Sequence, residues 1–223
     1  MPTQAYLWRN MIPTLAEHGR VIVPDMINFG LSDKTEPLTP EAHAENLAEL
    51  VAGLELENVT FVLQDWGVPF GFAAARMDPE RAGAFVFFEG PALPLPSLDI
   101  VPDFMFDSLI DPATAYPAII DDNWFIECFL LDPECVGSNT RDWTDAERAV
   151  YRAPLVDPAS REQLALMPQH LPFVDTTGHP ALDPDGPGGD PAQPSPSIEM
   201  VSANAAYMMG SEPPKSVTQA PPR

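Results

Sequence analysis

Positive charge is scarce: the 223 residues hold 11 Lys+Arg against 33 Asp+Glu, a formal net charge of −22 at pH 7. A chain this acidic repels polyanions, so nucleic acid and anionic membrane surfaces are excluded as partners. Cysteine is nearly absent, with only Cys128 and Cys135. Two cysteines cannot build a multi-bridge framework, and their spacing matches no common metal-ligand pattern, so both read as reduced thiols. No stretch approaches the roughly 18 apolar residues of a spanning helix, and the first residues lack a basic segment followed by an apolar one. The expected address is therefore cytoplasmic. Nothing calls for a metal or organic cofactor, and oligomeric state is left open, although strand edges without partners favour association.

What is present is apolar material for one core, with 45% hydrophobic and 9% aromatic residues. That excludes a wholly disordered acidic chain. Proline is in excess, 28 residues where ~5% is usual. Residues 6–17, with Leu7, Met11 and Leu15, read as a short helix disturbed at Pro13. Val21-Ile22-Val23-Pro24-Asp25 is a short run of strand type. Thr39-Pro40-Glu41 has the cap chemistry of a helix start, and Leu47, Leu50, Val51 and Leu54 are the expected buried face. Val59-Thr60-Phe61-Val62-Leu63 and Ala84-Phe85-Val86-Phe87-Phe88 read as buried parallel strands, separated by a helix over 70–77 that is rich in small residues. Alternating strands and helices predict an α/β fold with a mostly parallel sheet flanked by helices.

From Pro91 the alternation stops. Residues 123–127 and 145–151 read as short helices of an inserted block. The expected organisation is a core over 1–90, a helical cap over 91–172, a disordered Pro/Gly-rich linker over 173–196, and a core helix with a frayed tail over 197–223. No internal repeat is found.

A strand that stops at Gln64-Asp65-Trp66-Gly67 and runs straight into a helix has the strand-turn-helix context of a nucleophile elbow, with a carboxylate in the nucleophile's place. A carboxylate there suits displacement at an alkyl carbon, giving an ester that water then cleaves. The other reading of Asp65 is a helix cap favoured by the dipole. Trp66 reads either as core or as an indole N–H donor on an apolar body, fit to hold a weakly hydrated anion. Glu89 reads either as a surface charge at a strand end or as a catalytic acid.

With Pro2-Thr3-Gln4-Ala5-Tyr6-Leu7-Trp8-Arg9-Asn10-Met11-Ile12-Pro13, Pro24-Asp25-Met26-Ile27-Asn28-Phe29-Gly30-Leu31-Ser32-Asp33-Lys34, Gln64-Asp65-Trp66-Gly67 and Tyr151-Arg152-Ala153-Pro154 in this order, the chain resembles the haloalkane dehalogenases of the α/β-hydrolase superfamily. The resemblance runs over 2–172 and resumes over 198–215. It implies that Asp65 displaces halide from an alkyl halide, that a histidine-activated water hydrolyses the alkyl-enzyme ester to an alcohol, and that Glu89 orients that histidine. It implies Trp66 as halide ligand through its indole and as oxyanion donor through its backbone N–H. The substrates implied are a small halogenated aliphatic and water.

The same resemblance implies a His-Gly-Asn stretch where this chain has Met1, and a catalytic histidine beyond its end, so an incomplete copy is expected. His18, His43, His170 and His179 each have another reading: turn, helix, pre-proline position and linker. The implied central strand would precede Met1. Without it, backbone groups on two edges lose partners at about 1–3 kcal/mol each, and the ester is expected to accumulate for want of a base. Phe104, Phe106, Trp124, Phe125 and Phe129 read as pocket lining or plain core. An epoxide hydrolase, a coelenterazine-luciferase relative and a non-catalytic remnant are the competing readings.

Overall fold

The computed structural model describes residues 3–135, 141–175 and 198–208. In chain order the elements are α1 (Ile12–Ala16), α2 (Pro40–Gly53), β1 (Val59–Gln64), α3 (Gly67–Met77), β2 (Ala82–Phe88), β3 (Leu95–Ser97), α4 (Asp103–Met105), α5 (Pro112–Ile120), α6 (Asp145–Arg152), α7 (Glu162–Leu166), β4 (Phe173–Asp175) and α8 (Ile198–Met208). Short 3₁₀ and π turns join them. Contacts divide the described residues into two units, one of 3–38, 98–135 and 141–169, the other of 39–97, 170–175 and 198–208.

The second unit contains the sheet elements. α2 starts as its cap chemistry dictates: the Thr39 hydroxyl accepts from the Ala42 N–H at 3.3 Å, with Pro40 in the first turn. Its buried residues are Pro40, His43, Ala44 and Val51. The expected face at Leu50 and Leu54 is corrected, since these are 36% and 40% exposed. Small Ala44 and flat His43 form the side that packs inward, and the bulkier leucines flank it.

β1 and β2 pair in parallel, with Phe61 opposite Phe85 and Leu63 opposite Phe87. α3 covers one face of this pair: Phe72 stacks on Phe85 at 4.7 Å and meets Phe87 edge-on at 5.2 Å. Gly71 lets the helix approach, because a Cβ there would sit 2.4 Å from a Leu63 methyl. Val51, Phe61, Leu63, Val68, Phe72 and Ala75 form the buried cluster. The expectation that β2 is buried on both faces is corrected: Val86, Phe87 and Phe88 are 52%, 46% and 42% exposed. Among the described residues β2 has β1 as its one neighbouring strand, and α3 covers only the face of Phe85 and Phe87. β3 pairs in parallel with β4, and the Leu95 N–H donates to the Pro172 carbonyl at 2.8 Å. The rest of the expected linker, from residue 176, lies outside the described residues, as do Met1, His179 and the expected tail after Met208.

In the first unit, the run at Val21–Asp25 forms no strand, which corrects that reading. The Asp25 carboxylate instead accepts from the Ala5 N–H at 2.5 Å and the Leu31 N–H at 2.8 Å, folding the segment into a loop. Gly30, at φ +48°, is required there: a Cβ would fall 2.2 Å from the Asp25 carboxyl carbon. Pro13 lies in the first turn of α1, where it starts the helix instead of disturbing it. Two buried amides close the loop. Asn28 donates to Gln163 Oε1 at 3.0 Å, and Gln163 exchanges hydrogen bonds with the Leu38 backbone at 2.6 and 2.9 Å. Arg161 is buried and donates to the carbonyls of Leu155, Ile120, Asp121 and Val156.

Cys128 and Cys135 are joined as a disulfide with Cα atoms 5.3 Å apart, which corrects the reading of two reduced thiols. The π turn Phe125–Leu130 and the turn after it fold back and bring the two residues together. Spacing alone does not reveal that path.

Candidate active site

Two strands end side by side, and each ends on a carboxylate in the left-handed region: Asp65 at φ +55° after β1, Glu89 at φ +47° after β2. A non-glycine residue held there stores strain, which persists only where surrounding contacts over-determine it. Here those contacts are visible. The Asp65 N–H donates to the Glu89 carbonyl at 2.8 Å, and the Val68 N–H donates back to the Asp65 carbonyl at 2.9 Å as α3 begins. This is the sharp strand-to-helix turn that the motif predicts.

Gly90 makes the approach possible: a Cβ on it would lie 2.3 Å from the Asp65 carbonyl oxygen and 2.5 Å from a Val68 methyl. Sequence reasoning gave Gly90 no role. Its position directly after a strand-end acid was the available signal. Gln64 was quoted only as part of the motif. Its amide points at the Glu89 carboxylate, Nε2 to Oε2, at 3.5 Å.

Asp65 is half-buried. Burial pushes its pKa up, the Trp66 N–H bonded to Oδ2 at 2.5 Å pulls it down, and the nearby Glu89 charge pushes it up again. One fixed donor, the Trp66 N–H, thus faces the carboxyl where burial disfavours its charge. The backbone N–H expected to serve an oxyanion is engaged by Asp65 itself in this structure.

Trp66 is 5% exposed. Its ring stacks on Phe70 at 5.8 Å, and Phe70 stacks on His43 at 5.2 Å, so a column of rings runs from the turn to α2. His43 is fully buried in that column. His18 is exposed, following α1. His170 is 2% exposed, and burial pushes its pKa down, opposed by Glu41. None of these is brought to the turn by a hydrogen bond to Asp65 or Glu89.

In the other unit, Trp124, Phe125 and Phe129 come together, with Trp124–Phe129 centroids at 5.9 Å and Phe125–Phe129 at 5.0 Å. Phe125 is buried, Phe104 is 47% exposed, and Phe106 is half-buried. Among the described residues no cluster of His, Cys, Asp and Glu is arranged to hold a metal ion. No helix there is long and apolar enough to cross a membrane.

Residues 1–115 match the family described as alpha/beta hydrolase fold. A haloalkane dehalogenase of Mesorhizobium japonicum is 32% identical over 189 residues, covering 81% of this chain and 57% of the relative. One of Sphingobium indicum is 33% identical over 184 residues, covering 78% of this chain and 60% of the relative. Among solved structures, the haloalkane dehalogenase DbeA of Bradyrhizobium elkani superposes with a TM-score of 0.74 at 28% identity, over 94% of this chain and 66% of that one. The haloalkane dehalogenase DatA of Agrobacterium tumefaciens gives 0.73 at 25% identity, over 96% and 67%. The chain thus spans 57–60% of the length of these curated relatives.

Proposed function

We propose, since this chain belongs to the α/β-hydrolase fold family and is homologous to haloalkane dehalogenases, that it is a hydrolase of the carbon–halogen bond acting through Asp65. The strained turn that presents Asp65 between β1 and α3 carries the reading. Asp65 attacks the carbon bearing the halogen, the carbon–halogen bond breaks, halide leaves, and an alkyl ester remains on the carboxylate. Trp66, with its donor-only indole beside the turn, is the assigned halide ligand. Glu89 is the acid assigned to orient a histidine that activates the hydrolytic water. No described histidine is given that part. The aromatic group at Trp124, Phe125 and Phe129, with Phe104 and Phe106, is assigned to the apolar substrate pocket.

The partners in this proposal are a small haloalkane and water, with no metal or organic cofactor. A cytoplasmic address belongs to it too, and there the Cys128–Cys135 bridge meets a reducing environment.

Incubation with a 1-bromoalkane followed by intact-mass measurement and bromide assay tests it. The expected outcome is an alkyl adduct mapped to Asp65 or steady bromide release, both abolished by Asp65→Asn. Because the attacking form is the carboxylate and burial raises its pKa, the rate rises with pH through a midpoint above the ordinary 3.8. Absence of adduct and bromide at every concentration, or either one persisting in Asp65→Asn, overturns the assignment.

A further inference from the structure

We propose that Cys128–Cys135 is a redox-modification site: a solvent-facing disulfide that a small neutral dithiol opens, and whose state sets how firmly the chain from the π turn to Cys135 is held. The proposal does not depend on the dehalogenation reading. The Cα separation of 5.3 Å is that of an ordinary bridge. Cys135 is exposed and Cys128 half-buried, so a thiol reaches the pair from solvent on the Cys135 side.

Cys128 sits inside the π turn Phe125–Leu130. The turn is closed by the Leu131 N–H donating to the Ile126 carbonyl at 3.0 Å, five residues back. Such wide turns are rare and gather at functional positions, because the extra residue per turn costs stability that something else must supply. The turn carries Phe129, whose ring lies 5.0 Å from Phe125 and 5.9 Å from Trp124.

The flanks are tied down without the bridge. Glu127 receives Arg152 Nε and Nη2 at 2.7 and 2.6 Å, and the Leu131 carbonyl receives Arg148 Nη1 at 2.9 Å. Between Leu131 and Cys135 the hydrogen bonds are local: the Glu134 N–H to Asp132 Oδ1 at 2.9 Å and the Cys135 N–H to the Asp132 carbonyl at 3.3 Å. Opening the disulfide therefore loosens the chain from Cys128 to Cys135 around Leu131, whose carbonyl stays on Arg148, as Glu127 stays on Arg152. Asp132 and Glu134 stand beside Cys135, so the thiolate of glutathione, which also carries a net negative charge elsewhere, is repelled more strongly than the singly charged thiolate of a neutral dithiol.

The chemistry balances with the dithiol as the named reductant. Its thiolate attacks the Cys135 sulfur, the Cys128–Cys135 bond breaks, and Cys128 leaves as thiolate and takes up a proton. The second thiol of the reductant then displaces Cys135 and closes its own disulfide. Two electrons pass to the protein and Cys135 takes up the second proton.

The test uses the full chain at neutral pH. After treatment with oxidised disulfide, maleimide labelling followed by intact mass is expected to find no free thiol, and after a neutral dithiol, two. Dithiothreitol is expected to open the pair faster than glutathione at equal thiol concentration, with the gap narrowing at high salt. Hydrogen exchange of the amides over 124–135 is expected to be on the order of tenfold faster in the reduced chain, with α7 unchanged. The double variant Cys128→Ser, Cys135→Ser is expected to show the fast exchange with or without dithiol. Two labels after oxidising treatment would overturn the proposal. So would an opened pair with unchanged exchange, or a dithiol effect that survives in the double variant.

Discussion

Asp65 and Gly90 depend on each other at the shortest range in the second unit. The left-handed backbone of Asp65 is held by hydrogen bonds from its own N–H to the Glu89 carbonyl and from the Val68 N–H to its carbonyl, and Gly90 leaves room for that carbonyl. Burying the carboxyl there has a cost in stability whose sign pH reveals. Burial raises the Asp65 pKa in the folded chain, so between the unfolded value of 3.8 and the higher folded value the folded state binds more protons than the unfolded one. Stability then falls as pH rises through that window and stays lower above it. Asp65→Asn keeps an oxygen for the Trp66 N–H and removes the charge. It is expected to be more stable than the parent by about 1 kcal/mol at neutral pH, with the gain shrinking as pH falls toward 4. Urea unfolding of both proteins across pH checks this, and a parent as stable as the variant at pH 7 would show that the carboxylate is not under strain from burial.

At the scale of elements, α6 is the helix with the fullest set of local signals. Thr144 and Glu147 form a reciprocal capping box, and Glu147 also takes Arg141 and Arg9. The Arg141 bond, the Thr144 N–H and the Arg9 bond together hold the Glu147 pKa down to about 2, from an ordinary 4.5. A depressed carboxylate stabilises the fold above its unfolded pKa, and that contribution disappears as pH falls from 4.5 toward 2. Glu147→Gln is therefore expected to flatten the acid limb of the stability curve over that range, read by circular dichroism in urea.

The same helix shows why some elements were legible in the sequence and others were not. Capping at Thr39 is decided by neighbours within four residues and the sequence places it correctly, whereas α3 begins at Gly67, three residues before the expected Phe70. Leu50, Val86 and the Val21–Asp25 run fail for one shared reason: an apolar side chain or a β-branched run states a capacity for burial or pairing, and whether a partner arrives is decided far along the chain. The disulfide and Gly90 belong to that second kind, since each depends on how two segments approach. The positions of Asp65 and Glu89 directly after the two paired strands, and of Trp66 at the start of α3, were legible because local pattern decides where those strands stop.

Over the whole molecule, a net charge of −22 sets the electrostatic background. Among the described residues the ion pairs Arg9–Glu147, Arg81–Asp78, Arg141–Glu147 and Arg152–Glu127 use four basic side chains and two glutamates with one aspartate, against 33 acidic residues in the sequence. Self-repulsion favours the expanded chain and is screened by salt. Raising ionic strength from ~0.01 to ~0.5 M, where the Debye length falls from ~30 Å to a few ångströms, is expected to move the urea midpoint upward. A midpoint that stays put or falls would mean that the ion pairs lost to screening outweigh the repulsion relieved.

Finally, β1 and β2 close across a single helix, whereas β3 waits for β4, which the chain reaches only after the whole of the helical block. Short closures form early and long ones late, because ring-closure entropy must be met before contacts return it. On a ribosome delivering ~5–20 residues per second, the stretch from Ser97 to Asp175 takes roughly 4 to 16 s to emerge. Throughout that interval the β3 segment has no β4 to pair with, and Val86 and Phe88 of β2 are exposed even in the folded chain. Birth, more than any later moment, is when this protein most needs a chaperone.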